Sequence, residues 1–322
     1  MAPSNRNKPK NAASSTSTYT IMDFMRQFPD DATCLEYLWK RHYATAADGE
    51  HAQCPKCEEV RKFHRVASRP SYSCDVCGHH IHPTAGTIMH KSSTSLQLWF
   101  HAIFLMTSTR MGISAKQLER ELGVTYKTAW RMFTLIRNEL MIPDGGPLSG
   151  QVEMDETWVG GKPRLADKAT WANAPSKHSA ANKWSDEHKT PVFGMVERDG
   201  SVAAYVVPAV RTTAVQPYMN AQLVRGSVLF TDEGKVYRSL RNAGWEHHTI
   251  NHKSGQYVDG NTHTNTIEGF WSIVKNGIVG THRHVSAKWL QGYLNEYVWR
   301  YNRRGSDQPM FLNLLEQIQP GA

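Results

Sequence analysis

Val152-Glu153-Met154-Asp155-Glu156-Thr157-Trp158 reads as a β-strand whose two-residue period places Asp155 on one face with Glu153 and Thr157. A second acid, Asp232, ends the strand-like run Val228-Leu229-Phe230-Thr231. A third, Glu268, stands 36 positions later in Asn265-Thr266-Ile267-Glu268-Gly269-Phe270-Trp271-Ser272. Three carboxylates on separate elements can meet in a fold and hold two divalent metals, the arrangement that serves in-line phosphoryl displacement on DNA. Lys275 follows Glu268 by seven residues, two helical turns on nearly the same face, where a lysine can touch nearby DNA. Each acid has a competitor: Glu153 for the first role, Glu233 for the second and Asp259 for the third. Glu268 also admits a plainer reading, as the third residue of a helix capped by Asn265 and bonding backward. Trp271, near the same face, either stacks on a base or packs in the core.

The surroundings of the first strand set the fold class. Residues 191–198 and 201–207 flank Asp199-Gly200, a strong hairpin signal. Residues 212–224 read as a helix, 227–231 as a buried strand, 247–251 as a short strand, and 266–276 and 286–301 as helices. Hairpin strands followed by strand–helix alternation predict a mixed sheet with helices on its faces, an α/β domain over 151–305. The polar stretch 160–189 reads as a loop inserted between the first two strands, and 306–322 as a C-terminal tail. No internal repeat is visible.

Upstream, the 322 residues leave room for smaller modules. Residues 1–20 are Ser/Thr/Asn/Pro-rich and aperiodic, the composition of a disordered tail. Within 21–90, Phe24, Phe28, Leu35, Leu38 and Trp39 suit one or two short helices, and the cysteines follow. Cys54-Pro55-Lys56-Cys57, sixteen further residues, then Cys74-Asp75-Val76-Cys77-Gly78 is zinc-ribbon spacing. Two such knuckles supply four thiolates to one structural Zn²⁺, a closed site without catalytic openings. His79, His80 and His82 crowd the second knuckle, either as substitute ligands or as exposed polar residues. Cys34 is left over, a small buried hydrophobe on the plain reading.

Residues 91–142 read as helical. Leu96, Trp99, Phe100, Ile103 and Phe104 follow helical spacing, and Ser114 with Gln117 forms a candidate capping box before Leu118 and Leu122. Gly123 breaks that helix and Thr125 opens another, with Trp130, Phe133 and Ile136 on one side. This is the helix-turn-helix pattern, and its second helix offers Lys127, Thr128, Arg131 and Arg137 to DNA. Many helical pairs share the pattern without touching DNA. Residues 143–150 form a Gly/Pro-rich linker.

A net charge of +8 and a pI near 9.2 suit a polyanionic partner. No apolar run is long enough for a membrane span, the first residues lack the apolar core of a signal peptide, and paired Cys-x-x-Cys motifs suit a reducing compartment. Residues 270–305 hold Lys275, Arg283, Lys288, Arg300, Arg303 and Arg304 against one acid, Glu296. Such a run makes either a phosphate-binding face or a solvated helix side.

Residues 152–161, 190–207, 230–235 and 265–275, with the closing Tyr293-Leu294-Asn295-Glu296-Tyr297-Val298-Trp299-Arg300-Tyr301-Asn302-Arg303-Arg304, resemble bacterial insertion-sequence transposases with an N-terminal zinc ribbon. Their eukaryotic relatives are the Merlin transposases. The resemblance runs from about residue 21 to 305, and 160–189 departs from it. It implies a DDE transposase with a ribonuclease-H-like catalytic domain. The triad falls on Asp155, Asp232 and Glu268, the following basic residue on Lys275, and the zinc ligands on Cys54, Cys57, Cys74 and Cys77. Two Mg²⁺ (or Mn²⁺) ions are implied at the triad. The implied partner is double-stranded DNA, both terminal inverted repeats and target, engaged by a homodimer or larger assembly. The implied location is the nucleoid of a bacterial cytoplasm or a eukaryotic nucleus. Two alternatives stay open: a nuclease of the same fold that cuts without joining, and a DNA-binding regulator derived from a transposase. A zinc-ribbon transcription factor would leave everything after residue 140 idle.

Overall fold

Thr20, Asp30, Ser95, Ser114 and Thr125 each accept a hydrogen bond from the backbone N–H three residues on, and each starts a helix. A cap of this kind is worth roughly 1 kcal/mol. The helices are α1 (Ile21–Gln27), α2 (Asp31–His42), α3 (Leu96–Ser108), α4 (Ala115–Leu122) and α5 (Tyr126–Leu135). The full reciprocal capping box forms at Thr20 and Asp23, not at Ser114, because the Gln117 amide donates to Glu121 instead of reaching back. Gly123, at φ +63°, ends α4 in the left-handed conformation that favours glycine. The computed structural model describes residues 19–143, 145–160, 189–238, 240, 243–250 and 264–320. The expected N-terminal tail to residue 18, nearly all of the 160–189 insertion, Asn251 and Asp259 lie outside them.

Two units divide the chain, one up to Leu140 plus the segment from Gly305 on, the other Met141–Arg304. In the first, β1 (His51–Gln53), β2 (Val60–Val66), β3 (Ser71–Cys74) and β4 (His80–Ile81) form an antiparallel meander carrying the cysteines. Trp39 of α2 stacks on Tyr72 of β3 at 4.1 Å and donates its indole N–H to the Gly49 carbonyl, fastening meander to helix. Phe24, Phe28, Phe100 and Phe104 join α1 and α3 in an aromatic core. Past Leu135, α5 continues into a π-helical turn, Ile136–Leu140. Arg137 falls in that turn and is buried, its guanidinium 3.6 Å from the centre of the Phe133 ring. This corrects the expectation that Arg137 lies on the exposed face of the second helix, since the α-helical phase ends before it.

The second unit contains β5 (Gln151–Val159), β6 (Thr190–Glu197), β7 (Val202–Val206), α6 (Thr212–Gln222), β8 (Val228–Asp232), β9 (Glu246–Ile250), α7 (Asn265–Gly277) and α8 (Ala287–Asn302). The strand order is β7-β6-β5-β8-β9; β6 runs antiparallel to both β7 and β5, while β5, β8 and β9 are parallel. Val152, Met154, Phe193, Met195 and Leu229 pack on one side with Val215 and Met219 of α6. Strand alternation therefore sends Glu153, Asp155 and Gly194 to the other side, where α7 and α8 lie. Edge strand β7 is satisfied by α8: Asn302 and Gln291 accept from the Val202 and Val206 N–H groups and donate to the Val202 and Ala204 carbonyls.

Residues 306–322 are not a tail. They contain α9 (Met310–Glu316), whose Phe311 sits 5.6 Å from Phe24 and 5.8 Å from Phe28 and Phe104 in the first unit's aromatic core. Phe311, Leu314, Leu315 and Ile318 are all buried and follow helical spacing, a stripe that needs a partner. Among the described residues no helix is long and apolar enough to cross a membrane.

Candidate active site

Asp155 and Asp232 lie on adjacent parallel strands. Pairing of β5 with β8 runs from Gln151↔Val228 to Glu153↔Phe230, and the same register carried two residues on sets Asp155 beside Asp232. Both point to the side occupied by α7, which brings Glu268 in its first turn. Burial, then the charges of Glu156 and Asp232 and more weakly Glu268, push the Asp155 carboxyl up from 3.8 to about 7. Neighbouring anions thus oppose the charge of this half-buried carboxyl, and a divalent cation would relieve that repulsion; the carboxylate oxygens of Asp155, Asp232 and Glu268 do not all lie within 4.8 Å of one another. The donor set, all carboxylate oxygen, suits magnesium or manganese. Asp232 is half-buried and accepts from the Gly234 N–H at 2.8 Å, whereas its competitor Glu233 is exposed.

Glu153 has its acceptor positions taken within the protein. It is fully buried, and its two oxygens accept from the Thr266 and Ile267 N–H groups, the Thr266 hydroxyl and the Arg198 guanidinium. The Glu268 side chain accepts from the Thr264 hydroxyl at 3.0 Å, so part of the plainer backward-bonding reading holds, though the residue remains exposed. Trp271 is neither free to stack on a base nor merely core: its indole N–H donates to Asp155 Oδ2 at 3.1 Å. Gly194, paired with Asp155 across β6, leaves room for this, since a Cβ there would lie 2.5 Å from the Trp271 ring. Lys275 is exposed two turns beyond Glu268.

The pH dependence follows from Asp155. A carboxyl whose pKa rises on folding binds more protons folded than unfolded, so folding loses free energy as pH climbs from 3.8 to about 7. In metal-free buffer at pH 8, Asp155→Asn is expected to be more stable than wild type by about 2–4 kcal/mol, and the gap should close near pH 4. Denaturant melts at the two pH values check this; equal stability at pH 8 would refute it.

The second candidate centre is the cysteine quartet. Cys54, Cys57, Cys74 and Cys77 hold their sulfurs within 4.8 Å of one another, the one such set of three or more candidate ligand atoms among the described residues. The Cys54–Cys77 and Cys57–Cys74 separations are 3.6 and 4.0 Å. Zinc–sulfur bonds of ~2.3 Å give a tetrahedron with edges of ~3.8 Å, so the donor set fits zinc. The His80 ring instead meets the Ser71 hydroxyl at 3.2 Å, and His79 and His82 stay outside the set. Cys34 is fully buried, its thiol pushed up to about 12 by burial.

Residues 147–302, which hold all three acids, match the family model described as the ISXO2-like transposase domain. A Halobacterium salinarum protein described as "Uncharacterized protein in transposable element ISH50" is 30% identical over 256 residues, 77% of this chain and 84% of that one. The chain belongs to the ISXO2-like transposases. An uncharacterized transposase-like protein of Haemophilus influenzae is similar too, 28% identical over 127 residues, covering 38% of this chain and 95% of its own. A chain of the pre-cleavage Mos1 transpososome aligns over 69% of this chain and 78% of its own, at 12% identity and a TM-score of 0.25.

In this ISXO2-like transposase the basic residues expected to face DNA divide. Lys127 and Arg131 are exposed, while the Thr128 hydroxyl pairs with that of Thr125 at 3.0 Å. Arg300 is buried and ion-paired with Glu296 at 3.2 Å. Arg304 donates to the Gly200 and Tyr301 carbonyls, and Arg303 stacks on Trp299. The basic run after residue 270 is thus not one phosphate-binding face. Its last arginines fasten α8, whose Tyr297, Val298 and Trp299 are inside the unit. Sequence reasoning missed the Trp271–Asp155 bond and Glu156, which accepts from the Tyr237 hydroxyl at 2.6 Å on the opposite side of the sheet. The available signal for the first was Gly194 inside an apolar strand run, a mark of close approach.

Proposed function

We propose that this transposase cuts DNA at the ends of its element and joins the freed 3′-hydroxyl to target DNA, in a ribonuclease-H-like domain with Asp155, Asp232 and Glu268 as the catalytic acids. The observation that carries the reading is the placement of Asp155 beside Asp232 on the side of the sheet that α7 covers, with Asp155 raised by burial and then by its neighbours' charge. The sheet order, with only β6 running against its neighbours, supports the fold assignment. Asp155, Asp232 and Glu268 would hold two Mg²⁺ or Mn²⁺ ions, which when bound activate the attacking oxygen and stabilise the leaving one. Trp271 holds one Asp155 oxygen and so orients the other. Lys275, exposed on the same helix, holds a terminal phosphate.

Cleavage and joining are one displacement with two nucleophiles, water first and the 3′-hydroxyl second, without a covalent protein intermediate. The cysteine ribbon, holding one zinc, and the α4–α5 pair engage the terminal inverted repeats, with Lys127 and Arg131 on phosphates or bases. Two ends must meet, so the active species is a dimer or larger assembly, in the nucleoid of a bacterial host or the nucleus of a eukaryotic one.

The test is a labelled element-end duplex incubated with protein, target DNA and Mg²⁺. Joined products support the proposal. Cut ends without joining would mean a nuclease, and binding without chemistry a regulator.

A further inference from the structure

Helix α7 begins without a side-chain cap of its own. The first turn of any helix leaves N–H groups without intrahelical partners. Here two of them, on Thr266 and Ile267, donate to Glu153 Oε2 at 2.8 and 3.0 Å. The other oxygen, Oε1, accepts from the Thr266 hydroxyl at 3.0 Å and from Arg198 Nε at 2.8 Å. A carboxylate has about four acceptor directions, and all are in use. Burying this charge is tolerable because the helix N-terminus and Arg198 both compensate it. Arg198 is itself held, 4.1 Å from the centre of the Phe230 ring and bonded to Gln151 at 2.9 Å.

Glu153 precedes Asp155 by two residues on the same side of β5, while Thr266 and Ile267 immediately precede Glu268. We infer that Glu153 is a positioning residue for the third acid, reaching across from the strand that carries Asp155 to cap the helix that carries Glu268 and so setting the spacing of the two. The inference rests on the proposed roles of Asp155, Asp232 and Glu268. Groups that orient metal ligands typically change metal affinity or activity by 10–100-fold when removed.

The experiment measures Mn²⁺ binding by the full-length, zinc-loaded protein from the loss of the free Mn²⁺ EPR signal. Wild type is compared with Asp155→Asn, Glu153→Gln and the double variant Glu153→Gln/Arg198→Met. The double variant removes the guanidinium charge that the single change strands, in case the single variant does not fold. Val215→Ala, a core truncation under α6 on the other side of the sheet, controls for lost stability alone. The expected result is a Kd raised 10–100-fold in the Glu153 variants and unchanged in Val215→Ala. A folded Glu153 variant binding within twofold of wild type would leave Glu153 a purely structural cap. Loss as complete as that of Asp155→Asn would make it a ligand, and equal weakening in Val215→Ala would make the effect one of stability. If wild type binds no Mn²⁺, or Asp155→Asn binds as wild type does, the catalytic reading fails and takes this inference with it.

Discussion

Asp232→Asn is expected to lower element-end cleavage at least about a thousandfold while DNA binding persists. A metal-assisted displacement owes several kcal/mol to charge stabilisation at the two reacting oxygens, and ~4 kcal/mol corresponds to a factor of about a thousand in rate. The amide is nearly isosteric and keeps the contact from the Gly234 N–H, so the local turn survives and only the anionic ligand is lost. The adjacent Glu233 is the internal control. It is exposed and projects from the end of the strand, and Glu233→Gln should stay within about threefold of wild type, as surface changes usually do. Cleavage and strand-transfer rates on the element-end duplex, with binding measured separately, decide the matter. An active Asp232→Asn, or an inactive Glu233→Gln, would transfer the second role to Glu233.

Zinc removal is expected to unfold the β1–β4 module. Structural zinc contributes about 10–16 kcal/mol in small zinc-binding peptides, as much as the whole stability of a typical domain. The meander has little else to hold it: its apolar anchors are Phe63, Tyr72 and Ile81, with Tyr72 resting on Trp39. A chelator should release one zinc per chain and open residues 50–83 to protease, and Cys74→Ser should behave as the chelated protein does. Reductant alone should do nothing, since the four cysteines are free thiols, with Cys54–Cys77 and Cys57–Cys74 sulfurs 3.6 and 4.0 Å apart, and no disulfide links them. Collapse under reductant would contradict the four-thiolate site, and so would resistance to both treatments.

Much of the architecture could be read locally. The strand around Asp155, the Asp199-Gly200 hairpin and the helices near 266–276 and 286–301 depend on periods of two and 3.6 residues and on turn chemistry, all properties of neighbouring residues. The buried stripe of α9 was equally local, and its reading as a tail overlooked a pattern that was present. Helix starts at Ser95, Ser114 and Thr125 likewise rest on a side chain three residues from the N–H it accepts.

What a charged residue does was not local. Glu153 and Asp155 share one strand face and looked interchangeable, yet Glu153 is spent on a helix that begins 112 residues later in the chain, at Asn265. Arg300 and Arg304 look like a phosphate-binding run, and only the packing of α8 turns one inward to Glu296 and fastens the other to Gly200. By itself the sequence determined the cysteine quartet and most of the strands and helices, and it pointed to the three acids that the proposed chemistry needs. Which carboxylate sits beside other acids and which is consumed as a cap was decided by the tertiary structure, because hydrogen-bond partners and burial depend on elements that meet only when the chain is folded.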